Sequence, residues 1–174
     1  EQERYIGIAP EISKLPKVKL MEGNYKIDEE LFLFTGVTQR RLWPSGNKVL
    51  KVKRGDEFIQ DEFIHEQYLV IEEDSKRVLI SGCAHNGILN ILDKFRELYN
   101  TWPDAVISGF HLKKKSGYTQ EDLDNIRQIA EELSKLPTKF YTGHCTGEEP
   151  YGMMKEIMGE QLIYLHSGDK IYSL

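Results

Sequence analysis

Three stretches of this sequence share one pattern: an apolar strand, then a glycine, then a histidine within three residues. They are LISGCAH ending at His85, VISGFH ending at His111 and FYTGH ending at His144. Glycine lets the backbone turn tightly or approach a ligand closely. If the strands run parallel and side by side, their carboxyl ends meet at one edge of the sheet, where α/β proteins place ligand sites. The pattern therefore predicts a layered fold with histidines gathered at a sheet edge.

Strands and helices alternate along this region. Apolar periodicity predicts helices that begin at Ile88 and at Thr119, where Asp122 completes a capping box, and a short helix over residues 149–158. The predicted strands cover residues 31–34, 67–72, 77–80, 105–107, 139–141, 162–165 and 170–172, with 67–80 forming one hairpin and 162–172 a final strand pair. This alternation favours an α/β architecture.

The chain length suits one domain. Its 174 residues can bury a full core, so residues 1–174 are expected to form a single domain. Residues 39–60 are polar and contain the turn signal WPSGN, which predicts a long loop excursion.

Composition argues against several function classes. The net charge of −5 gives no electrostatic reason to expect nucleic-acid binding. No apolar stretch approaches the roughly 20 residues that a membrane helix needs, so no membrane association is expected. Two cysteines cannot form a disulfide framework, which favours a reducing, cytoplasmic compartment.

Imidazole is the commonest metal-binding side chain and also suits acid–base chemistry near neutral pH. His85 and His144 are therefore candidate metal ligands. Two alternatives stay open from the residues alone. Each histidine could merely cap its strand, and Cys83, His85, His144 and Cys145 could together hold one closed structural zinc.

The segments SGCAHNGILNIL, VISGFHL and YTGHCTG, in this order and separated by helices, resemble the C-terminal half of the metallo-β-lactamase superfamily. The nearest branch is that of dihydropterin-methyl-ribofuranosylaminobenzene-phosphate synthase-like proteins, which DEFIHEQYLVIEEDSKRVLISG also resembles. The resemblance implies part of an αβ/βα sandwich, with a mixed sheet and outer helices. It implies a metal-dependent hydrolase in which His85 and His144 bind a divalent metal, zinc ahead of iron or manganese, and metal-bound hydroxide attacks an ester, amide or phosphate.

The sequence departs from the family pattern in two places. The H-x-H-x-D-H signature is absent, and Ser108-Gly109-Phe110-His111 stands where many members carry a bridging aspartate. We therefore expect His111 to be a catalytic residue that faces the substrate. Residues beside the three motifs are expected to bind that substrate, a small molecule of a class that includes phosphorylated compounds: Asn86, Gly109, Cys145, Thr146 and Gly147.

The absent signature also bears on partners. It predicts an incomplete fold that lacks the N-terminal half and exposes the sheet face which that half would cover. We expect a homo-oligomer or a complementing N-terminal half as the partner. A non-catalytic interaction module and a structural-zinc protein remain the alternatives to an enzyme.

Overall fold

The computed structural model describes residues 3–171 of the chain. The strands are β1 (Tyr25–Lys26), β2 (Leu31–Phe34), β3 (Lys51–Arg54), β4 (Glu57–Gln60), β5 (Tyr68–Glu73), β6 (Lys76–Ile80), β7 (Ala105–Ile107), β8 (Lys139–Thr142) and β9 (Leu162–Tyr164). The α-helices are α1 (Ile88–Tyr99), α2 (Gln120–Ser134) and α3 (Glu148–Met158). Seven strands form one mixed sheet in the order β1-β2-β5-β6-β7-β8-β9, and β3 pairs with β4 in a separate hairpin.

The mixed sheet has an antiparallel half and a parallel half. Strands β1, β2, β5 and β6 pair antiparallel, which confirms the predicted β5–β6 hairpin. Strands β6, β7, β8 and β9 pair in parallel, each joined to the next through a helix. This half places successive strand ends at one edge, as the sequence pattern predicted.

The predicted final strand pair is wrong for the described residues. Strand β9 pairs in parallel with β8, and Lys170 and Ile171 lie outside any strand. The reason is that α3 carries the chain back across the sheet, so that β9 enters in the direction of β8. The last predicted residue of that strand, Tyr172, lies outside the described residues.

All three helices cover the same face of the sheet. The buried strand side chains on that face include Leu79, Val106 and Phe140, which share one apolar cluster with residues of α1, α2 and α3. Each such side chain contributes about 1.5–3 kcal/mol by leaving water. The helices thereby fix the sheet that carries the functional edge.

The opposite face of the sheet is apolar but has no helix over it among residues 3–171. Val78, Ala105 and Tyr141 form its buried centre. The partly buried side chains around them are Ile71, Ile80, Ile107, Ile163, Leu165 and Ile171. A continuous apolar surface of this kind is typical of a face that another layer covers.

Residues 39–60 leave the main sheet between β2 and β5, but they are more ordered than the predicted loop. They contain a 3₁₀ turn, Ser45–Val49, and the β3–β4 hairpin. Asn47 of this turn is fully buried, and Gln60 Nε2 donates to its backbone oxygen at 2.9 Å. Polar side chains therefore hold the excursion against the sheet.

Within the part of the chain that the structure describes, no helix combines the length and the apolar character needed to cross a bilayer.

The start of α2 is fixed by the predicted capping box. Thr119 accepts from the backbone N–H of Asp122, and the Asp122 carboxylate accepts in return from Thr119 N at 2.9 Å. The same carboxylate accepts from Ser45 Oγ at 2.7 Å and from Lys114 Nζ at 2.6 Å. Burial alone would raise the pKa of Asp122, but the hydrogen bonds from Lys114, Ser45 and Thr119 lower it well below its usual range.

We predict that Asp122→Ala lowers the free energy of unfolding by about 1–2 kcal/mol at neutral pH, because the capping box loses its reciprocal half and Lys114 loses its partner. Since the pKa is lower in the folded state than in the unfolded state, this stabilisation is fully present above about pH 4 and is lost as the pH falls through the folded-state value. Urea denaturation at several pH values measures it. Asp124→Ala, an exposed change on the same helix, is the control; equal losses in both variants would contradict the prediction.

Candidate functional site

The ends of β6, β7 and β8 lie next to each other and carry the three histidine motifs. Their pairing registers align Ile80 with Ile107 and Ile107 with Tyr141. The ladder continues past the strands, since Ser81 N donates to Ile107 O and Ser108 N donates to Tyr141 O, both at 3.0 Å. The turns that follow begin at the same level and meet at one edge.

Each of these three turns contains a non-glycine residue in the left-handed backbone region. The φ angles are 55° at Ala84, 49° at His111 and 49° at His144. Such conformations are uncommon outside glycine and persist only where the surrounding structure enforces them. Their coincidence at three adjacent strand ends marks this edge as a candidate functional site.

The His85 ring is oriented by Asn47. Asn47 Nδ2 donates to the His85 backbone oxygen at 2.7 Å, so Asn47 Oδ1 faces His85 Nδ1 at 2.9 Å as an acceptor. Neutral His85 therefore carries its proton on Nδ1 and keeps the lone pair of Nε2 free. This arrangement is typical of metal-binding histidines, whose second ring nitrogen donates to a neighbouring acceptor.

Two further residues hold His85 in place. The Phe63 ring is buried and stacks on the imidazole, with 4.4 Å between ring centroids and 6° between planes. Glu66 Oε1 accepts from His85 N at 2.7 Å, and its other oxygen accepts from Asn86 N at 2.9 Å. The backbone and the ring of His85 are thus both fixed before any ligand arrives.

His111 lies directly beside His85. Their ring centroids are 4.0 Å apart. His111 Nδ1 is buried with no hydrogen-bond partner among the described residues, so this polar atom has lost water without gaining a contact. One ligand atom from each of Cys83, His85 and His111 lies within 4.8 Å of the others.

His144 belongs to a second group of potential ligands. Its ring is exposed, and a ligand atom from it lies within 4.8 Å of those of Cys83 and Cys145. Cys83 is common to both groups, with His85 in one and His144 in the other. The four residues of the closed structural-zinc alternative are thus divided between two groups.

The surroundings of the two thiols shift their pKa values in opposite directions. Hydrogen bonding with Cys145, and then the nearness of the His111 and His85 rings, lowers the pKa of Cys83 far below its usual range. The hydrogen bond to Cys83 and burial raise the pKa of Cys145. These opposite directions favour deprotonation of Cys83 over deprotonation of Cys145.

The residues predicted to bind substrate lie around this edge, but two of them are enclosed. Asn86 is 1% exposed, and its amide donates to Phe63 O and Tyr68 Oη. Thr146 is 0% exposed, and its hydroxyl accepts from Phe110 N at 2.9 Å. Neither side chain offers surface to a ligand, so the structure supports a positioning part for both in place of substrate contact.

The other three residues predicted to bind substrate, Gly109, Cys145 and Gly147, lie close to the site. Gly147 packs against Lys113, with a φ of 81° that favours glycine. Gly109 lies against the Cys145 thiol, where a Cβ atom would come within contact distance of Sγ. Their substrate-binding part stays a prediction.

Sequence reasoning missed Asn47, Phe63 and Glu66. Asn47 lies in the excursion that was predicted as a loop, 38 residues from His85. Glu66 follows His65 in the segment DEFIHEQY, and Phe63 precedes it. Their polar and aromatic identities carried no periodic signal, because their role depends on a contact across the fold.

A cavity of about 580 Å³ opens beside His85. Aromatic side chains, Phe58 and Phe63, line part of its wall. Basic side chains line another part: Arg4, Lys51 and Lys53. The acidic side chains of Glu3 and Asp61 line it as well, so the cavity combines apolar surface with charges of both signs next to the imidazole.

The sequence of the chain is similar to those of two known proteins. The chain is 33% identical over 119 residues to the 7,8-dihydropterin-6-methyl-4-(beta-D-ribofuranosyl)-aminobenzene-5'-phosphate synthase of Methanocaldococcus jannaschii, covering 63% of this chain and 36% of that protein. It is 27% identical over 170 residues to an uncharacterized protein of the same organism, covering 95% of this chain and 60% of that protein. No family model matches the chain.

A solved structure extends the similarity to the fold. The crystal structure of a metal-dependent hydrolase of the beta-lactamase superfamily matches with a TM-score of 0.66 and 26% identity, covering 88% of this chain and 57% of that chain. This chain thus spans between about a third and three fifths of the length of the proteins it matches. The chain therefore has a metallo-β-lactamase-like mixed α/β fold, and its sequence is similar to that of the dihydropterin-methyl-ribofuranosylaminobenzene-phosphate synthase.

Proposed function

We propose that this chain provides one side of the metal centre of a metal-dependent hydrolase. The observation that carries the proposal is the His85 ring, which buried Asn47 holds with Nε2 free beside His111. The solved neighbour is a metal-dependent hydrolase of the beta-lactamase superfamily, which supports the same class of reaction.

The residues at the edge fit a divalent metal. Two neighbouring imidazoles and a thiol lie within 4.8 Å of each other, and the buried His111 Nδ1 lacks a protein partner in the described structure. Nitrogen and sulfur donors suit zinc, with iron and manganese as further candidates. A bound metal would polarise the carbonyl or phosphoryl oxygen of the substrate and would lower the pKa of water.

Each protein group has a distinct part in this proposal. His85 and His111 bind the metal, so His111, predicted as catalytic, acts at the reacting atoms as a ligand. His144 lies near Cys83 at the same edge of the sheet, but in the group that contains Cys145. Phe63 covers one face of the His85 ring and keeps water from it.

The cavity beside His85 supports a small-molecule substrate with a negatively charged group. Arg4 and Lys51 would attract an anion such as a phosphate, whereas Lys53 is paired with Glu3, and the aromatic side chains would contact a planar group. The phosphate in the name of the Methanocaldococcus jannaschii synthase is consistent with a phosphorylated compound.

We further propose that the helix-free face of the sheet is covered in solution. Its apolar side chains, such as Ile80, Ile107 and Ile163, are only partly buried. A second copy of the chain would cover them and produce a homo-oligomer. Cover by the remaining part of a longer superfamily fold is the alternative arrangement.

The proposed function predicts metal-dependent hydrolysis. The chain reloaded with Zn²⁺ should hydrolyse members of a panel of chromogenic phosphate and carboxylic esters, and a chelator should stop the reaction. His85→Ala and His111→Ala should lose bound metal and activity, because each removes a ligand. Metal content is measured by mass spectrometry.

His166→Ala is the control, because this exposed histidine interacts with Asp169 and belongs to neither group of potential ligands. Metal content that is unchanged in both ligand variants, or turnover that a chelator does not affect, would refute the proposed function.

The contact between Asn47 and His85 predicts a second effect. Asn47→Ala should weaken Zn²⁺ binding by about 10- to 100-fold, because the His85 ring loses the acceptor that fixes its tautomer. Asn47→Asp keeps an acceptor and should recover most of the affinity. Calorimetric titration measures both.

Asn24→Ala provides a matched control, since the Asn24 amide oxygen accepts from Thr35 N in a remote loop. Equal Zn²⁺ affinity in Asn47→Ala and in the wild type would show that Asn47 does not orient a ligand.

The apolar face predicts self-association of the isolated chain. Ile163→Asp should shift the protein toward monomers, because a charge on this face opposes its burial. Ile157→Asp places the same charge on the helical side, where the side chain is 37% exposed, and should leave the oligomer intact. Sedimentation velocity measures both, and a monomeric wild type would rule out the homo-oligomer.

A further inference from the structure

We propose that Cys83, His144 and Cys145 form a thiolate-rich metal subsite beside the histidine pair, suited to a soft divalent cation such as Zn²⁺, Co²⁺ or Cd²⁺. The proposal extends the metal centre described above and rests on it, because Cys83 borders both groups. It assigns direct metal binding to both cysteines and places His144 with them.

The distances suit a shared ion. One ligand atom from each of the three residues lies within 4.8 Å of the other two. Around a tetrahedral zinc with Zn–S bonds near 2.3 Å, ligand atoms are roughly 3.8 Å apart. Side-chain rotations that close the group by about 1 Å would therefore complete the site.

A missing side chain at Gly109 allows the two thiols to meet. Cys83 follows β6 and Cys145 follows β8, and β7 lies between these strands. Strands two positions apart are roughly 9–10 Å from each other, so their side chains meet only across the end of the middle strand. At that end stands Gly109, where any Cβ atom would overlap with Cys145 Sγ. The glycine of VISGFH thus makes room for a thiol.

The backbone around Cys145 is fixed on both sides. Lys113 N donates to Cys145 O at 2.9 Å, and Thr146 N donates to Gly143 O at 3.0 Å. The buried Thr146 hydroxyl also contacts Thr142 Oγ1 at 2.5 Å. The backbone that carries the Cys145 thiol is therefore preorganised, which reduces the entropy lost when a metal binds.

Charge and exposure agree with this assignment. A divalent cation would bind both cysteines as thiolates, with Cys145 releasing its proton as the metal binds, and His144 would add a neutral nitrogen donor. His144 is exposed, and both cysteines are partly exposed. The fourth coordination position of a metal held by these three residues would therefore face solvent. Three protein ligands with an open position are typical of metal sites that exchange ligands.

The test is a titration of the purified, metal-stripped chain with Co²⁺ alone, under a non-thiol reductant that keeps the cysteines reduced. We expect a near-ultraviolet thiolate-to-cobalt charge-transfer band. Cys145→Ser, nearly isosteric, should lower the band to about half because one of two thiolates remains. His85→Ala should leave the band in place, since His85 belongs to the other group.

The outcomes separate this proposal from the proposed function. Co²⁺ binding without a charge-transfer band, or a band that Cys145→Ser leaves unchanged, would overturn the thiolate subsite while leaving a histidine centre intact. A band that survives His85→Ala would support the subsite, and if the Zn²⁺-loaded wild type hydrolyses no ester of the panel, the proposed function fails while the subsite stands.

A measurement on the wild type needs no variant to fold. X-ray absorption of the Zn²⁺-loaded chain should show sulfur scatterers at about 2.3 Å. A shell of nitrogen and oxygen alone would contradict the proposal.

Discussion

The parallel pairing of β6, β7 and β8 is the constraint on which the rest of the structure depends. Its registers bring the ends of the three strands to the same level, and backbone hydrogen bonds extend the pairing through Ser81 and Ser108. A slip of one residue would turn every side chain of a strand to the other face of the sheet. The histidines meet because the apolar residues before them fix the register, with Val106 and Phe140 facing the helices.

The functional edge also depends on a segment far away in sequence. The excursion over residues 39–60 brings buried Asn47 to the His85 ring, and Ser45 joins the same segment to Asp122 at the start of α2. These contacts are polar and are shielded from water, so losing one partner leaves the other unsatisfied. Stability of the excursion and orientation of the histidine are therefore coupled through neighbouring hydrogen bonds.

Much of the fold could be predicted from the sequence, because period and capping are local signals. The β5–β6 hairpin, α1, the capping box of α2 and the strands before His85, His111 and His144 all follow from such signals. The terminal strand pair failed, since a short apolar run does not reveal whether its partner strand is parallel or antiparallel. The resemblance to the metallo-β-lactamase superfamily agrees with the fold and with the proteins that the chain matches.

The candidate site was only partly predictable. The motifs indicated which histidines approach the edge, but Asn47 and Phe63 act through contacts that no local pattern encodes. The division of the ligands into two groups around Cys83 depends on the missing side chain at Gly109, whose place the Cys145 thiol takes. This contact becomes apparent only when the ends of the three strands are seen together.

The central claim is that His85 is held as an Nδ1–H imidazole with Nε2 free for a metal. Long-range ¹H–¹⁵N correlation spectra of histidine-labelled protein report the tautomer of each ring directly. We predict that neutral His85 carries its proton on Nδ1 and that Zn²⁺ shifts its Nε2 resonance. A proton on Nε2 of His85, or an Nε2 resonance that Zn²⁺ leaves unchanged, would contradict it.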